Sequence, residues 1–292
     1  MASPSKWFRD PRLWLEAFVL VNLAFLSLDI YLAHSVNEFR RDAEYIPLYF
    51  SLAAPPVLLA GLLAWWRGLT TVWRDLGHLI GWGAVAIGLT GVVLHLDSRF
   101  FDERTLKSLV YAAPFAAPLA YTGLGLLLIM NRMVDAASEE WPHWVLLMAL
   151  GGFFGNFIFS LTDHAQNGFF HATEWIPVFS SAFAVGFLVA PFVTPVGRRY
   201  LWLCAVVLLV QAGVGLLGFF YHTAANLHGP SPHWYDNFVH GAPALAPLLF
   251  PNLVMLAGIG LYVLGMHRAA DETPTPATPV ASRLPHAGAP SS

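Results

Sequence analysis

The sequence predicts an all-α integral membrane protein with eight transmembrane helices. They form two four-helix repeats of the same orientation about an axis along the membrane normal. Three observations carry this. The chain has 292 residues, 57% hydrophobic and 11% charged, where soluble domains carry about a quarter charged residues. Its charges gather in short stretches, leaving apolar runs of about 20 residues, the length that crosses a hydrocarbon core. The chain also repeats itself at an offset near 130. Asn22 and Asp29 return as Asn156 and Asp163, His34-x-x-Asn37-x-Phe39 as His164-x-x-Asn167-x-Phe169, and Glu44-x-Ile-Pro47 as Glu174-x-Ile-Pro177.

Residues 1–12, with Lys6, Arg9 and Arg12, form a short cytoplasmic segment. The first repeat, 13–134, opens with a span at 13–34. No small-residue cleavage pattern follows it, so it reads as a span and not a cleaved leader. Asn22 lies inside it and suits an interhelical hydrogen bond. The second span, 46–66, starts behind Glu44, with Pro47 in the first turn, where a missing N–H costs nothing. Glu44 then sits near the positive helix end. The third span, 77–96, ends in Gly91-x-x-x-His95, and the fourth, 108–130, carries Pro114 and Pro118 as kink or first-turn devices.

The second repeat, 143–268, runs through spans at 143–161, 175–194, 200–221 and 241–266. It repeats the interior Asn as Asn156, the first-turn proline as Pro177, the Gly-x-x-x-His as Gly218 to His222, and the paired prolines as Pro243 and Pro247. The single cysteine, Cys204, lies in the seventh span and reads as a packing residue. With one cysteine there is no intrachain disulfide and no Cys-rich metal site. Residues 269–292 are Pro-rich and aperiodic, the signature of a disordered tail.

Orientation follows from Lys and Arg. Arg67, Arg74, Arg132, Arg198, Arg199 and Arg268 all fall on the side of the N-terminal basic residues. That side is assigned to the cytoplasm, placing both termini there in a multi-pass cell (inner) membrane protein. The outer loops hold Arg40, Arg41, Arg99, Arg104 and Lys107, all in the first half. The net charge of −3 is uninformative, and no basic patch interleaved with aromatics points to nucleic acid. The bilayer is the evident partner.

Once the chain is oriented, eight histidines fall on the outer side: His34, His95, His164, His171, His222, His228, His233 and His240. His164, Asn167, His171 and Glu174 are spaced 3, 4 and 3, one face of a helix if 163–174 is helical. His233, Asp236 and His240 are spaced 3 and 4. Imidazole with carboxylate suits zinc, copper or non-haem iron, held by three or four side chains from more than one segment. The expected metal ligands are therefore His164, His171, Glu174, His222 and His240, with Glu174 able to act as general base. Asp163, Asn167 and Asp236 would orient them.

Two other chemistries fit the sequence. His34 with His95 and His164 with His222 each come from spans one and three of a four-helix unit and could be axial ligands of haem. Arg41, Arg104 and Lys107 would repel a metal cation from the first half and could instead meet a small anionic solute from outside, as in a metal-free carrier or receptor. The sequence does not decide whether the protein is an enzyme.

Overall fold

The computed structural model describes residues 10–271. The basic residues Lys6 and Arg9 and the tail from 272 lie outside the described residues.

The described chain is all-helical. Seven of its helices are long and apolar enough to cross a membrane, so this is a multi-pass membrane protein by helix length and hydropathy. Helix α1 spans Pro11–Ser35. Its start is set by Asp10, whose side chain accepts from the Arg12 backbone N–H at 3.0 Å, with Pro11 in the first turn. Helices α2 (Tyr45–Trp66) and α3 (Thr70–Asp97) follow. Two short pieces, α4 (Phe100–Glu103) and α5 (Leu106–Val110), precede α6 (Leu119–Met133). The second half runs α7 (Glu140–Gln166), α8 (Trp175–Val193), α9 (Arg198–Leu227), the short α10 (Trp234–His240) and α11 (Leu249–Asp271).

Two sequence expectations change here. The fourth span is not one helix over 108–130. Helix α5 stops at Val110, and the chain resumes as helix only at Leu119. Pro114 and Pro118 are the cause, since neither supplies an N–H to a helical ladder. The resulting α6 has 15 residues, about 22 Å at 1.5 Å per residue, shorter than a full span. Nor is 163–174 one helix. α7 ends at Gln166, the chain reverses through Gly168 at φ 73° and Phe169 at φ 53°, and a single 3₁₀ turn covers Ala172–Glu174. The spacing of 3, 4 and 3 there is not a helix face.

Each half closes on itself. α1 packs on α2 and α6, and α3 packs on α2 and α6; likewise α7 packs on α8 and α11, and α9 on α8 and α11. The rings meet where α6 lies against α7 and α11 against α1. Without a hydrophobic driving force in lipid, close contact between spans depends on small residues. A Cβ added to Gly88 of α3 would lie 2.8 Å from the Pro118 carbonyl, and one added to Gly215 of α9 would lie 2.6 Å from that of Pro247. Polar residues also join spans. Asn22 and Asn252 exchange amide hydrogen bonds at 3.1 and 2.5 Å, tying α1 to α11.

One buried ion pair was not anticipated from the sequence. Glu16 of α1 and Arg132 of α6 meet in a bidentate contact, with both bonds 2.7 Å and both side chains 1% exposed. The guanidinium lies 4.4 Å from the Trp73 ring centre. Beside it, Asn131 donates to the Arg12 carbonyl and accepts from the Trp141 indole, linking α6 to the start of α7.

Candidate functional site: paired histidines at two helix ends

His34 occupies the last turn of α1 and His164 the last turn of α7. Both helices end in the same way. The N–H groups of Asn37 and Phe39 bond the His34 carbonyl at 3.3 and 3.1 Å; those of Asn167 and Phe169 bond the His164 carbonyl at 3.2 and 3.1 Å. Phe39 and Phe169 both take positive φ, 50° and 53°. The chain therefore doubles back, and one 3₁₀ turn carries Glu44, or Glu174, onto the histidine. His34 Nδ1 lies 3.6 Å from Glu44 Oε2, and His164 Nδ1 lies 3.7 Å from Glu174 Oε2. Those separations exceed a hydrogen bond of 2.7–3.2 Å. Glu44 Oε2 and Glu174 Oε2 are both buried and accept no hydrogen bond.

The second imidazole of each set comes from the third span. His95 Nδ1 meets the Pro114 carbonyl at 3.0 Å, and His222 Nδ1 meets that of Pro243 at 3.0 Å. The paired prolines explain this contact. Four residues after each carbonyl stands another proline, Pro118 or Pro247, which has no N–H to give. The carbonyl accepts instead from the N–H three residues on, that of Ala117 at 3.0 Å or Ala246 at 3.2 Å, and its second lone pair takes the histidine N–H. This fixes the N–H on Nδ1 and leaves Nε2 as the acceptor atom, the arrangement found behind metal-bound histidines. Each proline is held in turn: Ala113 N–H donates to Ser98 Oγ at 2.8 Å, and the buried Asn226 side chain brackets Ala242 with bonds of 2.8 and 2.9 Å.

The two imidazoles of each set are neighbours. The His34 and His95 ring centres are 6.3 Å apart at 74°, and those of His164 and His222 are 6.5 Å apart at 87°. So His164, Glu174 and His222 converge on one helix end. Asp163, one residue before His164, lines a small cavity of about 10 Å³ with Pro114, Thr162 and Gln166, and Gln166 donates to the Val110 carbonyl at 2.7 Å.

Other sequence candidates lie outside these sets. His171 and His240 are exposed. Asp236 is exposed and accepts from Ser231 Oγ at 3.0 Å, and Asn167 is an exposed helix cap. Asn37, by contrast, donates to Glu44 Oε1 at 3.0 Å. Arg41 faces Asp97 at 3.9 Å, while Arg104, at φ 53°, and Lys107 are exposed. Among the described residues, no group of three or more His, Cys, Asp or Glu side chains is disposed to hold a metal ion as it stands.

The shortfall has a size. With metal–ligand bonds of about 2.1 Å, two donor atoms on a tetrahedral ion stand about 3.4 Å apart. The His–Glu separations of 3.6 and 3.7 Å come close to that. Two imidazole ring centres on one ion stand about 5.2 Å apart at the tetrahedral angle and about 6.4 Å apart when opposed. The observed ring separations are thus roughly 1 Å too wide for a compact tetrahedral site. The histidine–glutamate separation in each set is thus near that of two donors on one ion, and the histidine–histidine separation is not.

Comparison with protein-family models, with curated proteins and with solved structures gave no match.

Proposed function

We propose that this multi-pass membrane protein binds a divalent transition metal, zinc, copper or iron, on the outer side of the cell membrane. The ligands are His164, Glu174 and His222, in the second of two internally duplicated four-helix units. The orientation, with both termini cytoplasmic, rests on the distribution of Lys and Arg; the duplication rests on the recurring motifs and the matching contacts at both histidine pairs. The observation that carries the metal reading is the buried Glu174 Oε2. It accepts no hydrogen bond and stands 3.7 Å from an imidazole nitrogen. A buried carboxylate oxygen without a partner is costly. A cation between it and His164 Nδ1 removes that cost at nearly the observed separation. Three protein ligands would leave such an ion one position for water; Glu174 would serve either as a ligand or, if not ligated, as the group that takes the proton of that water.

The test is elemental analysis of detergent-purified protein after equilibration with zinc, copper or iron(II) and removal of excess. The expected result is one ion per chain at this site, lost in His222→Ala and Glu174→Gln while the variants stay monodisperse. Absence of stoichiometric transition metal from the wild type in all three equilibrations would end this reading.

One observation favours a second reading. The ring separations of 6.3 and 6.5 Å match two opposed axial imidazoles, so His34 with His95, and His164 with His222, are also candidates for haem. The two described cavities are elsewhere: one beside Asp163, the other lined by Phe179, Phe183, Phe187 and Tyr200. An absorption spectrum decides. A Soret band in protein from haem-supplied cells, lost in His222→Ala, would replace the first reading with this one.

A further inference from the structure

The two halves differ where their second and third helices meet. α2 starts at Tyr45 and runs for 22 residues; α8 starts at Trp175 and stops after 19. Pro195 is the cause. Thr194 before it is extended, at φ −147°, ψ 148°, as a residue preceding proline prefers. The last turn of α2 carries Trp65, which stacks on Trp73 of α3 at 5.4 Å. His95 and His222 differ by 127 positions, and so do Trp73 and Tyr200. Tyr200 thus holds the place of Trp73 without the final helical turn that would cover it. Its hydroxyl donates instead to the Phe187 carbonyl at 3.0 Å.

The space left is a groove of about 330 Å³, lined by Phe179, Ala182, Phe183, Gly186 and Phe187 of α8 and by Tyr200 of α9. The α8 residues share one helix face and run about 12 Å along its axis. A Cβ added to Gly186 would meet nothing within 4 Å. The Tyr200 hydroxyl is the only polar side-chain group in the lining, and it is already bonded to backbone. The groove therefore takes an apolar chain and not a polar solute. Charge defines the other end of the occupant. Arg198 and Arg199 open α9 just before Tyr200, and both are exposed. No Asp or Glu occurs between Glu174 and Asp236, so α8, α9 and their link set no acid against these cations. Basic pockets between spans suit anionic lipid headgroups.

We propose that this groove binds one phospholipid with an anionic headgroup, its acyl chain lying over Gly186 between Phe183 and Tyr200 and its phosphate held by Arg199. The site is separate from the histidine sets, and the metal reading can fail without touching it. Native mass spectrometry of the full-length protein in detergent tests it, with dioleoyl phosphatidylglycerol and dioleoyl phosphatidylcholine as probes. The wild type is expected to keep one phosphatidylglycerol and to prefer it over phosphatidylcholine about fivefold, the effect of one Arg near a lipid surface. That preference should shrink as salt rises. Gly186→Leu and Ala182→Phe, which fill the groove, should each lose both lipids while staying monodisperse. Arg199→Gln should keep a lipid and lose the preference. No lipid on the wild type, retention unchanged in both filled variants, or a preference that survives Arg199→Gln would overturn the inference. So would a wild-type dimer that Gly186→Leu dissociates, since the groove would then hold a second copy of the chain.

Discussion

Replacing Glu16 by Met tests the buried pair that joins α1 to α6. The change strips Arg132 of both its 2.7 Å bonds. The guanidinium cannot shed its proton, and with its side chain 1% exposed it cannot turn to water. Breaking a buried pair by removing one partner costs about 3–5 kcal/mol. The Trp73 ring 4.4 Å away faces the guanidinium before and after the change, so its cation–π contact does not alter the difference. Glu16→Met should therefore cost about 3–5 kcal/mol. Glu16→Met combined with Arg132→Met should cost less than Glu16→Met alone, because two apolar side chains leave no charge behind. The assay is reversible unfolding in mixed micelles with increasing SDS, followed by tryptophan fluorescence, for both single variants and the double. A cost below about 0.5 kcal/mol for Glu16→Met, the level of an ordinary surface change, would refute the reasoning. So would a double variant whose cost equals the sum of the singles.

Three further outcomes follow from the histidine sets and the helix contacts. Glu174→Gln should lower zinc affinity at least tenfold, measured by competition with a chromophoric chelator. Glu44→Gln, in the other set, should change it less than twofold. Bound metal should be lost as pH falls to about 4–5, because imidazole ligates only when neutral and its ordinary pKa is about 6.5; elemental analysis after dialysis at stepped pH reads this. Gly88→Leu and Gly215→Leu should each destabilise the protein by about 1–3 kcal/mol or more, because even a Cβ there would meet the proline carbonyls of Pro118 and Pro247 at 2.8 and 2.6 Å. Thermal aggregation in detergent would show the loss, and a neutral result would mean those spans are less close than described.

Much of this was legible in the sequence, for identifiable reasons. Seven long apolar helices follow from run length and charge placement; the eighth expected span, 108–130, does not, because Pro114 and Pro118 break it into α5 and the 15-residue α6. The pairing of His34 with His95 and of His164 with His222 follows from their recurrence at matching places in each half. Helix geometry beyond a helix end was not legible: His164, Asn167, His171 and Glu174 carry a helical spacing, yet a turn through Gly168 and Phe169 interrupts it and leaves His171 at the rim. Recurrence also misleads over depth. Asp29 and Asp163 differ by 134 positions, His34 and His164 by 130. The extra four residues amount to about one helical turn, so the aspartates share a face but not a level. The Glu16–Arg132 pair was missed because Arg132 looked like an ordinary flanking charge. The available signal was Glu16 itself, a carboxylate inside an apolar run, which demands a partner. The paired prolines were visible as a repeat. Their contact with histidine, through the second lone pair of the Pro114 or Pro243 carbonyl, needed the third span to be in place.

The amide exchange between Asn22 and Asn252 sets a timetable for synthesis. Its partners are 230 residues apart, and translation at about 5–20 residues per second separates them by about 12–46 s. Throughout that interval the Asn22 amide N–H has the Phe18 carbonyl of its own helix at 2.8 Å, but its oxygen waits for Asn252. Early on it must borrow a neighbour, a water or a translocon contact. That oxygen stays without its native partner until α11 leaves the ribosome and packs on α1.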